Sequence, residues 1–173
     1  MEVKILREAG IDEALLGMSL SYESNIDKMY PRAVLLSSQD YGHNKFLESI
    51  ILWLDITAPR YWWSQADTYR AGVTKQSSST MHTLSKKEFS QDDFEHPIPQ
   101  TLLNILNTLP KERLKNALPE GFLQRRIVCL NYKVLRTIIK QRLTHKLPEW
   151  QTFITAILTQ CQNPEFLKDL ISC

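Results

Sequence analysis

The stretch Glu48 to Thr57 (ESIILWLDIT) constrains the fold more than any other part of the chain. Read as a strand, it puts Ile50, Leu52, Leu54 and Ile56 on one side and Ile51, Trp53, Asp55 and Thr57 on the other. Both sides are largely apolar, so this strand is expected to be central in a sheet and covered on both faces. Ala58-Pro59 ends it, and Pro59 suits the first residue of a following helix.

The rest of the chain supplies the cover. Val3 to Leu6 reads as a short opening strand and Phe122 to Leu130 as a second sheet strand. Helical periodicity or boundary signals mark Ile11 to Leu20, Asn25 (as N-cap) to about Ser38 with Pro31 as a point of interruption, and Arg60 to Arg70. They also mark Thr101 to Leu109, Lys111 to Asn116 and Pro148 to Gln160, with a last helical turn opened by Asn163-Pro164. Tyr41-Gly42 and Leu118 to Gly121 are turns. Gly72 to His82 is polar and weakly patterned; its hydroxyls at Ser77, Ser78, Ser79 and Thr80 could meet a phosphate or simply sit in solvent. Lys86 to Gln100 is an irregular connection. The expectation is one α+β domain over residues 1–173, with few strands and several helices.

Length and composition agree: 173 residues, 43% hydrophobic and 23% charged, are those of a soluble globule. No apolar run approaches a membrane span, and the longest candidate is broken by Asp55. The N-terminal residues lack a secretory pattern. Cys129, Cys161 and Cys173 form no CxxC pair, which fits a reducing cytosol and argues against disulfides or zinc. Asp92, Asp93, Glu95 and His96 match no metal-ligand spacing, so no metal is expected. There is no glycine-rich phosphate loop, GxSxG or HExxH.

Between Glu120 and Glu149 no acidic residue occurs, while Arg125, Arg126, Lys133, Arg136, Lys140, Arg142, His145 and Lys146 all do. Such a block attracts phosphates, or pairs with acids elsewhere such as Glu88, Asp92, Asp93 and Glu95. Within it, Leu135, Ile138 and Ile139 form an apolar stripe at helical spacing, with Asn131 and Arg142 at its two ends. A guanidinium on a buried stripe needs an anionic partner, such as a bound phosphate or nucleobase, or else it caps the helix and snorkels outward. Tyr61, Trp62 and Trp63 read as core packing or as a stacking platform.

Gly42-His43 before the strand, Ala58-Pro59 at its end, Gln65 and Arg70 after it, then Ser78, Lys115 four residues before Pro119, Asn131 and Arg142 form a linear series. In order and spacing this series resembles the flavin-dependent thymidylate synthases (the ThyX family). Ala14 to Tyr22 is similar to the family's first helix, and the chain also resembles small phage proteins. The family signature RHRxxSxNExSxRY corresponds here to Thr68 through Met81. Arg70 and Ser78 are identical and Gln76 is an isostere of the family's Glu. Thr68 and Tyr69 replace the arginine and histidine that the family uses on the flavin, and Thr80 replaces its late arginine.

The resemblance implies a ThyX-like fold, a small antiparallel sheet covered by several helices. It implies a cytoplasmic homotetramer (in the host cytoplasm if phage-encoded) that binds dUMP or a related pyrimidine nucleotide, with FAD as cofactor. Arg142 would be catalytic, polarising the uracil ring. Gln65, Gln76, Ser78 and Lys115 would join Arg142 in holding the nucleotide, and His43, Arg70 and Asn131 would line the flavin side. Three functions stay open: a diverged ThyX-like transferase; a ThyX-fold nucleotide-binding or interaction protein without flavin chemistry; and a nucleic-acid binder using the basic block with Trp62, Trp63 and Tyr69.

Overall fold

The computed structural model describes residues 1–39, 42–79, 83–84 and 87–171. Tyr41 of the expected turn, the Thr80 hydroxyl, Met81, His82, Lys86 and Cys173 lie outside the described residues.

Four antiparallel strands form one sheet in the order β1-β2-β4-β3. They are β1 (Glu2–Ala9), β2 (Ile51–Pro59), β3 (Val73–Ser77) and β4 (Leu123–Asn131). The helices among the described residues are α1 (Ile11–Tyr22), α2 (Met29–Ser37), α3 (Arg60–Ala66), α4 (Gln100–Thr108), α5 (Lys111–Ala117), α6 (Tyr132–Arg142) and α7 (Pro148–Gln160). Asn25 caps only a short 3-10 turn, accepting from Asp27 N–H, and Pro31 falls in the first turn of α2, where a missing N–H costs nothing.

β2 is interior, as expected, but it starts at Ile51, because Lys45–Glu48 coil into a 3-10 turn. Pro59 stays in the ladder opposite Leu123 and serves as the N-cap of α3 rather than as its first helical residue. The expectation of two covered faces is corrected. Ile50, Leu52, Leu54 and Ile56 are at most 1% exposed and join α6 and α7 side chains in one core. Ile51, Trp53, Asp55 and Thr57 are only half-buried. That open face is stabilised by polar work at its surface: Arg125 forks onto Asp55 at 2.8 and 2.5 Å, and Arg7 lies 5.9 Å from the Trp53 ring centroid.

β3 was expected as loop and is a correction. It pairs with β4 from Val73↔Leu130 to Ser77↔Arg126. Its position at the sheet edge explains its polarity: one neighbour strand suffices, and only Val73 and Lys75 turn inward. Gly72 leads into it with φ +69°, and a Cβ there would stand 2.9 Å from Val134 Cγ2, so this turn requires glycine. The residues of 87–122 build a second, smaller apolar cluster around Phe89, Phe94, Leu106 and Phe122.

Candidate functional site

Arg142 closes α6, where a cation is favoured by the helix C-terminus. It is half-buried. Its Nε donates to the Tyr69 hydroxyl at 2.8 Å and its Nη1 to Gln65 Oε1 at 3.3 Å. The guanidinium carbon lies 4.8 Å from the Trp150 ring centroid and 5.4 Å from that of Tyr69. Gln65 Oε1 also accepts from Trp150 Nε1 at 2.9 Å. Among the described residues no carboxylate comes within ion-pair distance of Arg142, so its holders are all neutral.

Each holder is itself held. Gln65 lies near the end of α3, whose Trp62 and Trp63 are 2% and 1% exposed. Trp62 packs on Trp150 with centroids 4.7 Å apart, so α3 and α7 are locked together beneath the cluster. These tryptophans are core, and rings so buried cannot stack on nucleobases; of Trp62, Trp63 and Tyr69, the aromatics expected of a nucleic-acid binder, Tyr69 alone keeps partial exposure. Beyond α3, Lys75 Nζ donates to the carbonyls of Ala66 (2.7 Å) and Tyr69 (3.0 Å) and pairs with Asp67 at 3.2 Å. An inward lysine on β3 thus caps the helix end and fixes the backbone of Tyr69.

The acid-free block is largely paired, with partners other than those expected. Arg125 pairs with Asp55, Arg126 with Asp67, Lys133 with Glu48 and Arg136 with Asp169. Of the expected acids, Asp93 is taken by Lys87 at 2.6 Å. Lys140, Arg142 and Lys146 keep no acidic partner among the described residues, so the positive field concentrates at the end of α6.

The other anticipated residues are spread. Asn131 is the N-cap of α6, its side chain accepting from Val134 N–H at 2.9 Å. Gln76 and Ser78 are exposed at the β3 edge with no side-chain partner among the described residues. Lys115 is exposed in the last turn of α5, and Arg70 is exposed just past α3. His43 is exposed beside a separate cavity of about 460 Å³ between α1 and the 42–49 segment, lined by Ala14, Gly17, Tyr22, Lys45 and Glu48 among others. Lys133 ties that segment to the first turn of α6 through Glu48, at 2.8 Å. Arg142 closes the same helix nine residues on, about 14 Å along the axis at a rise of about 1.5 Å per residue. The structure therefore brings Gln65 and Arg142 into contact, and among the described residues no other anticipated site residue hydrogen-bonds to Arg142. Sequence reasoning missed Tyr69 and Trp150 as holders of Arg142. Aromatic faces are a natural bed for a guanidinium, but the 73 residues between Tyr69 and Arg142 give no local signal.

No family profile and no curated protein sequence matches the chain. Solved structures do match. Thymidylate synthase X (ThyX) from Helicobacter pylori, solved with FAD and dUMP, superposes with a TM-score of 0.83 at 15% identity, covering 100% of both chains. A second structure of the flavin-dependent thymidylate synthase ThyX of that organism, complexed with FAD and dUMP, gives 0.81 at 16% identity over 98% of this chain and 99% of that one. At such identities the likeness is one of architecture, and it extends over the whole chain: this protein has the ThyX fold.

Proposed function

We propose that the chain is a ThyX-like protein that binds dUMP or a related pyrimidine deoxynucleotide at Arg142. One observation carries the reading: a half-buried guanidinium, fixed in place, whose protein partners are all neutral. A cation held without a carboxylate keeps its charge for an incoming oxyanion or for charge that develops on a ring during reaction. Gln65 stands beside it. Gln76, Ser78 and Lys115 would complete the nucleotide site; none of them hydrogen-bonds to Arg142 within one chain among the described residues, and a homotetramer with sites shared between copies would bring them to it.

The FAD fit is divided. The cavity beside His43 is in the size range of ligand pockets and carries polar groups at its rim, so His43 and Lys45 would hold a cofactor there. A reduced flavin, when bound, supplies a hydride. Arg70 is exposed and has no side-chain partner among the described residues, but Asn131 spends its side-chain oxygen on a helix cap. The Thr68 hydroxyl is likewise spent on Gln65 O at 2.7 Å, and Tyr69 on Arg142. Those last contacts favour a second reading, a nucleotide-binding protein without flavin chemistry.

One set of measurements separates the two. The wild-type protein and Arg142→Ala are titrated with dUMP by calorimetry, and the wild type is scanned in the visible range after loading with FAD and desalting. Arg142→Ala is expected to weaken dUMP about a hundredfold or more. Equal affinity would remove the assignment. A retained flavin band supports the transferase; a colourless protein that binds dUMP supports the second reading.

A further inference from the structure

We infer that Tyr69 is a positioning residue for Arg142: its phenol oxygen fixes the guanidinium without neutralising it, and thereby sets the affinity of the site for its anionic ligand. The ligand half of this statement rests on the function proposed above.

The other arginines of the segment are held by carboxylates. Arg125 uses Asp55, Arg126 uses Asp67 and Arg136 uses Asp169. Only at Arg142 are a phenol and an amide the acceptors. Either kind of partner fixes a guanidinium, but a carboxylate also cancels its charge. Gln65 and Tyr69 are four residues apart, at the end of α3 and just beyond it, and they engage two different nitrogens of the group. Two such contacts on one planar fork define its plane, and the Trp150 ring at 4.8 Å supports its face.

Tyr69 is equipped to impose this geometry. Its hydroxyl donates to Gln141 Oε1 at 3.0 Å, so the proton points away and a lone pair faces Arg142 Nε. Its ring meets Trp150 edge-on, at 6.3 Å and 78°. Its carbonyl is pinned by Lys75. What remains of Arg142 is the second N–H of Nη1 and both of Nη2, which have no partner among the described residues and are left to donate to a ligand. A long side chain ordered before the ligand arrives loses less freedom on binding.

Tyr69→Phe keeps the ring and deletes only the acceptor. The first readout needs no ligand: solvent exchange of the Arg142 Nε–H resonance, assigned by its loss in Arg142→Lys. We expect Tyr69→Phe to exchange at least about tenfold faster than wild type, and unchanged exchange would overturn the inference. The second readout is dUMP affinity in two backgrounds. Tyr69→Phe should weaken binding about tenfold in the wild type and less than about twofold on top of Arg142→Lys, because the hydroxyl acts through that arginine. An equal loss in both backgrounds would overturn the positioning role. A wild type whose Nε–H depends on Tyr69 but which does not bind dUMP keeps the positioning role and rejects the ligand.

Discussion

Arg136 and Arg142 lie six residues apart on α6 and serve opposite ends. Arg136 is 8% exposed, forks onto Asp169 at 2.6 Å through both terminal nitrogens, and donates to the Phe166 carbonyl. It staples the C-terminal segment to the helix. Deleting one member of a buried ion pair costs about 3–5 kcal/mol, but Asp169 is partly exposed, so Arg136→Ala is expected to cost about 2 kcal/mol in urea unfolding while leaving dUMP affinity unchanged. Arg142→Ala should do the reverse. Cys161 offers a third contrast. Burial is the first cause that pushes its thiol up to about 11, with Glu8 adding to it, so it stays protonated and unreactive at neutral pH.

Among the elements, β2 and β4 carry the most informative pair, Asp55 with Arg125. The hydrogen bond from Arg125 holds the Asp55 carboxyl below its ordinary value, against a smaller opposing effect of burial. A lowered carboxyl pKa contributes stability that is complete above the unfolded value of about 3.9 and is lost as the pH falls through the folded value. The stability gap between wild type and Asp55→Asn should therefore hold steady from about pH 7 to 5 and shrink in acid; a gap that widens in acid would contradict the pairing. β1, β2, β4 and the long helices were legible in the sequence because burial writes a period into it. β3 was not, since an edge strand with one inward lysine and one inward valine has almost no apolar period. Arg142 was legible as an anomaly on a buried stripe. That Tyr69 turns to it depends on the packing of α3 on α7, which local patterns do not encode.

At the scale of the whole molecule, one face of the sheet is only half-covered, and Leu16, Leu20 and Leu35 are 53%, 74% and 70% exposed on α1 and α2. Apolar groups left in water on that scale point to association. Light scattering after gel filtration should give about four times the 20.1 kDa chain mass, and a monomer at micromolar concentration would refute the proposed tetramer. No helix among the described residues is long and apolar enough to cross a membrane.

The side chain of Gln160, at the end of α7, accepts from Ile5 N–H at 3.1 Å and donates to the Val3 carbonyl at 2.9 Å. One amide thus imitates a missing neighbour strand along the outer side of β1. Bare strand sides are where sheets recruit foreign chains and begin to fibrillise. On β1 one backbone donor and one backbone acceptor are taken by Gln160, and the other edge strand, β3, is only five residues long. The sheet is in effect a connector with one socket partly filled and the other short, which leaves an incoming strand little to grip.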